Sequence, residues 1–476
     1  MKDILSKQEI QSKLKILFMS IFIGVLLYDF MFYYKGLSYF ILISTLTLGF
    51  IFIIGIKNKN YMGYFLMGVS VLLSSTYFIY TNPVFRVLNR ILIPCSLISA
   101  FIILSYKEVD FKFKVIYRNI IRKVFIDSFA NIRVIKVIFR SVKKENNKES
   151  FGNYKYVLNG LMISIPIVIV LITILADADK VFAYYIKNLN SNMVFYNLGD
   201  KISRIFLSII FSIFIFGLYN SFSLPYKEVE EDYKNNLNFN SITIVTILFI
   251  VSFLYLVFTK IQISYLYIGT TLPQGFNYAE YARSGFFQLI FLTLLNVFFI
   301  IFIKKNTVPN GKLQEKIILC LYSLITILTF NMAFSALYKM RLYIVAFGFT
   351  RLRILSSIFT IFLCMVLIVV FIFIFKNINM FKPIVICGAI IYVFINFANI
   401  DDFITRKNLQ LAKNSTEIDI SYIVNLSFDN YNSMESALKK GEISKEQYHN
   451  WLYNNKIETS YWHEYNYFNS KGNSVK

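Results

Sequence analysis

Apolar runs of about 17 to 25 residues recur along this chain between short polar breaks, and each is long enough to cross a bilayer core of roughly 30 Å. The pattern predicts about eleven spans. They run over Leu14–Tyr34, Leu37–Ile56, Tyr61–Tyr80, Val84–Ser105, Val157–Ala176, Ser203–Phe222, Ser241–Thr259, Ser284–Ile303, Ile317–Leu337, Ile354–Phe375 and Pro383–Ile400. No run alternates with the period of two that a barrel strand requires. Backbone polar groups in hydrocarbon must be satisfied within their own segment, so the spans are read as helices. The expected fold is all-α, a polytopic integral membrane protein with a small helical C-terminal tail. Residues 1–105 hold the first four spans, 106–156 a basic loop, 157–402 spans five to eleven, and 403–476 the polar tail. The first run is long for a cleaved leader, carries Asp29 and lacks a small-residue cleavage site, so it is expected to remain as a span.

Composition agrees, with 57% hydrophobic and 16% charged residues and a mean hydropathy of +0.57. Charge sets the expected orientation. The loop from Tyr106 to Tyr156 carries thirteen basic residues against five acidic ones, a net +8, and belongs in the cytoplasm by the positive-inside rule. The N-terminus is then cytoplasmic and, after eleven spans, the tail lies outside. Lys339, Arg341, Arg351 and Arg353 fall on the outer side against that rule. Within the basic loop, Phe113, Ile116, Ile120 and Val124 recur at helical spacing beside Lys114, Arg118 and Arg122. This predicts an amphipathic basic helix lying in the headgroup plane of an anionic leaflet. The bilayer and its anionic headgroups are therefore the expected partners; no nucleic-acid-binding motif accompanies the charge, so none is expected from that class.

Candidate chemistry is sparse. Cys95, Cys320, Cys364 and Cys387 sit singly in predicted spans and imply no disulfide framework. His449 and His463 both lie in the tail, so no Cys/His zinc set or Ser-His-Asp set can be assembled within the membrane region, and glycine-rich phosphate loops are absent. No metal or cofactor is expected. Polar residues at membrane depth are costly, and so mark either pairing or function. The candidate ligand-binding residues are Arg283, Gln288, Asn331, Arg341, Arg351, Arg353, Asn399, Asp401 and Asp402, with Asp177, Asp179, Glu280 and Tyr281 as secondary candidates. Asn396, Asn399 and Asp402 follow one another at i, i+3, i+6 in the last span. Interhelical pairs such as Asp29 with Arg90 are the plainer reading of any one residue. Clustering on the outer side favours an outward polar cavity for the group, with Arg283, Arg353 and Asp402 joined in one site.

In the tail, Gly441 after Lys439 and Lys440 suits a helix end, and Ser444 with Gln447 forms a capping box opening a helix through Trp451 to Lys456. Tyr461, Trp462, Tyr465, Tyr467 and Phe468 form an aromatic cluster expected to pack or to rest at headgroup level.

Several runs carry a family resemblance. They are Asp177-Ala178-Asp179-Lys180-Val181-Phe182, Leu272-Pro273-Gln274-Gly275-Phe276, Tyr278 to Leu289, Gly348-Phe349-Thr350-Arg351-Leu352-Arg353, and Asn399-Ile400-Asp401-Asp402-Phe403. On these the chain resembles a bacterial membrane family, the domain-of-unknown-function family 4173, with its relative 4153, over roughly residues 82–438. Phe349 stands where Leu is usual, and the stretch after Ser427 departs from the family pattern. The resemblance implies a multi-pass protein of the bacterial cell membrane and no established activity. Three function classes follow from the residues. The leading one is a non-enzymatic envelope protein with an outward-facing polar cavity that binds or moves a lipid or anionic solute, its outer arginines acting as clamps. The others are a transferase using a polyprenyl-phosphate-linked donor with Asp177 or Asp179 as base or metal ligand, and a scaffold or sensor subunit.

Overall fold

The computed structural model describes residues 6–31, 35–53, 55–56, 60–106, 111–145, 198–224, 239–264, 285–413, 421–457, 459 and 461–473, with positions 164, 175 and 178–181 between them. Among these residues the secondary structure is helical; one isolated bridge joins Phe239 and Thr307, and no strand forms.

Four helices open the chain: α1 Lys7–Met31, α2 Leu37–Ile53, α3 Tyr61–Ile79 and α4 Pro83–Ser105. Their starts are written in the sequence. The Asn60 side chain accepts from the Met62 amide, and Asn82 accepts from the Val84 amide with Pro83 in the first turn, where a missing N–H costs nothing. The basic loop forms α5 Phe113–Ile121, a π turn over Arg122–Asp127, α6 Ser128–Asn131 and α7 Arg133–Glu145. There follow α8 Leu198–Ser223, α9 Ser241–Gln262, α10 Phe286–Asn306, α11 Lys312–Phe347, α12 Arg351–Phe375, α13 Phe381–Phe397 and α14 Ile400–Ala412. The tail adds α15 Ser421–Val424, α16 Tyr431–Lys439, α17 Lys445–Asn455 and α18 Tyr467–Asn473.

Eight of these helices are long and apolar enough to cross a membrane, or up to nine with the bent pair α13 and α14 taken as one span. The chain is a multi-pass membrane protein. The difference from eleven expected runs has three sources. The run at 157–176 lies outside the described residues except at positions 164 and 175. Helix α2 is apolar but only 17 residues long, at the short limit for spanning. The last run is broken by 63° after Phe397. Helix α11, at 36 residues and about 54 Å, overshoots the hydrocarbon core, which carries Lys339 and Arg341 beyond the expected end at Leu337.

Two helical groups each enclose a core. The first holds α1 to α4 and α8, centred on Ile23, Phe50, Phe101, Phe216 and Phe222; Phe50 and Phe101 stack at 4.0 Å. The second holds α9 to α12 around Leu248, Ile300, Ile325, Met332 and Val370. Helix α13 packs against both, through Val385 and Ala389 on one side and Ile384 on the other.

The loop helices lie across the ends of α1, α4 and α8. The inward face of the loop helices passes through the π turn, where its register moves on by one residue. The buried positions are Ile116, Asn119 and Lys123, then Ser128, Asn131, Val134, Ile138 and Ser141, with the five-residue step at the turn. Lys123 donates to the Ser221 carbonyl at 2.9 Å and pairs with Asp127 at 3.0 Å. Burial lowers its pKa, an effect the Asp127 hydrogen bond and charge oppose. The four residues expected as one apolar face of this helix divide, with Ile116 buried against the bundle and Phe113 64% exposed.

At the opposite end of the bundle the tail folds on the ends of α3, α4 and α12. Its core is Ile404, Ile423, Phe428, Met434 and Trp451, joined by Phe85 and Ile400. The capping box at Ser444 and Gln447 is present, and Gly441 has φ +70°, a left-handed conformation that closes α16. The aromatic cluster divides: Phe468 is buried and stacks on Tyr80 at 5.8 Å, while Tyr461, Trp462, Tyr465 and Tyr467 are exposed.

Candidate functional site

The α13–α14 break is surrounded by buried polar groups. Asn399 takes a left-handed φ of 42°, and its side chain accepts from the Asp402 amide at 3.2 Å to cap α14. The break turns Asp401 inward. Its carboxylate is fully buried and receives the Arg351 fork, Nε to Oδ1 at 2.7 Å and Nη2 to Oδ2 at 2.5 Å. Asn82 Nδ2 donates to Oδ1 at 3.1 Å, the Ser427 amide to Oδ2 at 3.1 Å, and the Ser427 hydroxyl also donates to Oδ2. One carboxylate thus ties together α4, α12, α14 and the tail.

A second buried carboxylate sits beside it. Asp429 accepts from the Thr81 amide at 2.5 Å, the Thr81 hydroxyl at 2.8 Å and the Asn82 amide at 3.0 Å, while Asn399 Nδ2 donates to its carbonyl at 2.8 Å. Burial, and then the charge of Asp401, pushes the Asp429 carboxyl up to about 6, against the pull of the Thr81 and Asn82 donors. Arg86 closes the neighbouring turn by donating to the Tyr77 carbonyl at 2.8 Å and the Tyr80 carbonyl at 3.2 Å. Asn466 of the tail donates to the same two carbonyls at 2.8 and 3.0 Å. Deeper in the bundle, Asn89 donates to Asn396 at 2.9 Å and accepts from the Tyr392 hydroxyl at 2.7 Å, joining α4 to α13.

Two residues beyond Arg351, Arg353 points elsewhere. Its Nη1 donates to the Phe347 and Gly348 carbonyls at 2.8 and 2.6 Å, capping α11, and its guanidinium lies 4.1 Å over the Tyr343 ring. It lines a cavity of about 270 Å³ with Phe286, Phe287, Met340, Tyr343, Thr350 and Leu352. Lys339, largely buried, has its ammonium 3.5 Å from where a Cβ on Gly285 would stand, at the start of α10.

The remaining candidates separate. Asp402 pairs with Arg406 at 2.9 Å and accepts from Ser433 at 2.5 Å, facing the tail helix α16. The Asn396, Asn399, Asp402 stripe is therefore cut: its members serve the α4 contact, the cap and the tail. Gln288 and Arg341 are exposed, and Asn331 is partly buried in α11. Asp179 is exposed and accepts from the Val181 amide at 2.7 Å. Asp177, Glu280, Tyr281 and Arg283 lie outside the described residues, as does the Asp29 side chain proposed to meet Arg90. The four cysteines are free thiols. Among the described residues, no group of three or more His, Cys, Asp or Glu is placed to hold a metal ion.

Thr81, Asn82, Ser427 and Asp429 were not singled out by their sequence. The Asn82-Pro83 pair is a legible helix start, but no local pattern joins Asp429 to partners about 350 residues away.

Residues 67–437 match the family described as Domain of unknown function (DUF4153). The chain belongs to that family. The match is to family 4153, the relative named with the motif resemblance; family 4173 itself is not shown. No curated protein and no solved structure matches the chain. The family segment contains both buried carboxylates and every side chain bonded to them, together with the Arg353 cavity. Helices α1 and α2 and the tail from α17 onward lie outside it.

Proposed function

We propose that this protein is a non-enzymatic membrane protein that binds an anionic amphiphile, a phosphate-bearing lipid headgroup, in the cavity beneath Arg353. The reading rests on one observation. A guanidinium with only Nη1 engaged among the described residues stands in a cavity of about 270 Å³ walled by Phe286, Phe287, Met340, Tyr343 and Leu352. A planar fork suits two phosphate oxygens, and aromatic and aliphatic walls suit the apolar part of the same molecule. The volume is near the lower edge of the range for small-molecule sites, fitting a headgroup rather than a whole lipid. Arg351 has no part in it, because Asp401 occupies its fork. By the positive-inside rule the cavity and tail lie on the outer face and the basic helices in the cytoplasm.

The test is retention of phosphatidylglycerol by purified protein, read by mass spectrometry, for the parent, Arg353→Gln, Arg353→Lys and the exposed-site control Arg341→Gln. A charge-assisted hydrogen bond contributes about 1.5–3 kcal/mol, so Arg353→Gln should retain about ten- to a hundredfold less. Arg353→Lys should fall between, and Arg341→Gln should match the parent. Equal retention by all four proteins would refute the site.

A further inference from the structure

The basic loop presents a face that stands exposed among the described residues. Its inward side is fixed: Lys123 reaches the Ser221 carbonyl, Asn220 donates to Asn131 at 3.0 Å, and the Ser128 carbonyl oxygen lies only 2.2 Å from where a Cβ on Gly217 would stand. These contacts fall on residues 217–221 of α8, within about 9 Å of its end at Ser223 by helical rise. The loop helices therefore run at the depth where a span leaves the hydrocarbon, and not out in bulk water.

At that depth the outward side carries Phe113, Tyr117, Phe125, Ile126, Phe129 and Phe139, each more than half exposed. Lys114, Arg133, Lys136 and Arg140 are exposed among them. Bare aromatic rings are costly in water and favourable at the acyl boundary, while long basic side chains reach from there to phosphates. We infer that α5 to α7 form a fixed interfacial stave, seated in the anionic headgroup layer of the leaflet at that end. Phe125 and Phe129 enter the acyl boundary, and the lysines and arginines hold phosphodiester oxygens. The occupant is the bilayer containing the protein's own spans, chosen by charge complementarity and by depth. Each basic residue near an anionic surface contributes about a fivefold factor in local affinity. The inference is independent of the Arg353 cavity, which lies at the opposite end of the bundle.

The experiment places an indole on this face with Phe125→Trp and, separately, Phe129→Trp, in the full chain reconstituted in nanodiscs. Emission from Trp451 and Trp462 is subtracted using the parent. Brominated-chain phosphatidylcholine should quench the introduced indole, and aqueous acrylamide should not. In the Arg353→Gln background, which removes binding at the cavity, adding phosphatidylglycerol should still raise the thermal midpoint, and Lys136→Glu with Arg140→Glu in that background should abolish the rise. Acrylamide quenching without bromolipid quenching in both variants would overturn the inference, showing a water-facing helix. So would protection from both quenchers, which would place a protein partner or a second copy on this face.

Discussion

Asp401 is the residue whose loss should cost most. Its buried carboxylate accepts five hydrogen bonds, two from Arg351, two from Ser427 and one from Asn82. In Asp401→Ala the Arg351 guanidinium, 18% exposed, is left without its counter-charge. Breaking one half of such a pair costs about 3–5 kcal/mol, most of it from the charge left behind. Asp401→Asn keeps the shape but loses the charge, so each charge-assisted bond is weakened and the cost is about 2–3 kcal/mol. Replacing both partners, Asp401→Leu with Arg351→Met, should cost less than the sum of the single changes, since no charge stays buried. Hydrogen–deuterium exchange in nanodiscs reads this directly. Amides of α15 and α16 should exchange about two to three and a half decades faster in Asp401→Ala, while those of α9, which holds none of the residues bonded to Asp401, keep their protection. Unchanged exchange in α15 and α16, or equal loss in α9, would refute the claim that this carboxylate clasps the tail to the spans.

The other two predictions concern the same end. Because Asp429 holds its proton up to about pH 6 when folded, against 3.8 in its ordinary state, the native protein binds more protons between those values, so stability falls as pH rises from about 4 to 6 and is flat above. The rise from 3.8 to about 6 is on the order of 3 kcal/mol; the thermal midpoint of the parent should climb on acidification through this window, and Asp429→Asn should remove the climb relative to parent. A Cβ on Gly36 would stand 2.3 Å from the Glu464 and Tyr465 carbonyl oxygens, so Gly36→Ala should cost about 1–3 kcal/mol and speed protease cleavage within 461–473 while sparing α17.

The spans and tail helices were legible because apolar length and caps are local signals. Asn82, Thr350 and Ser444 each cap a helix through their own side chains, and the Ser444–Gln447 box was readable from spacing alone. The partner choices were not. Asp401 and Asp402 are neighbours, yet one is sealed against Arg351 and the other meets Ser433, because the left-handed turn at Asn399 resets the helix phase that a continuous span would carry. Lys123 lies seven residues after Ile116 on the same inward face, but its partners, the Ser221 carbonyl and Asp127, are set by the packing of α8 and the π turn and not by the local pattern. Asp429 meets Thr81 across 348 positions, a pairing only the assembled fold creates.

Two of the four basic residues expected on the outer side against the positive-inside rule, Arg351 and Arg353, open α12. A helix N-terminus carries a partial positive charge, so Arg351 and Arg353 sit where cations are disfavoured, and each requires compensation. For Arg351 it comes as a full negative charge, from Asp401. For Arg353 it comes only as the partial charges at the end of α11, from the Phe347 and Gly348 carbonyls, with the Tyr343 ring face below. Positions i and i+2 of a helix point to different sides, which is why two adjacent-looking arginines divide between a sealed joint and an open cavity. The incomplete compensation is at Arg353. An anion entering that cavity meets a guanidinium, a helix start and little competing negative charge, whereas the same anion at Arg351 would have to displace a buried carboxylate bonded to three other segments.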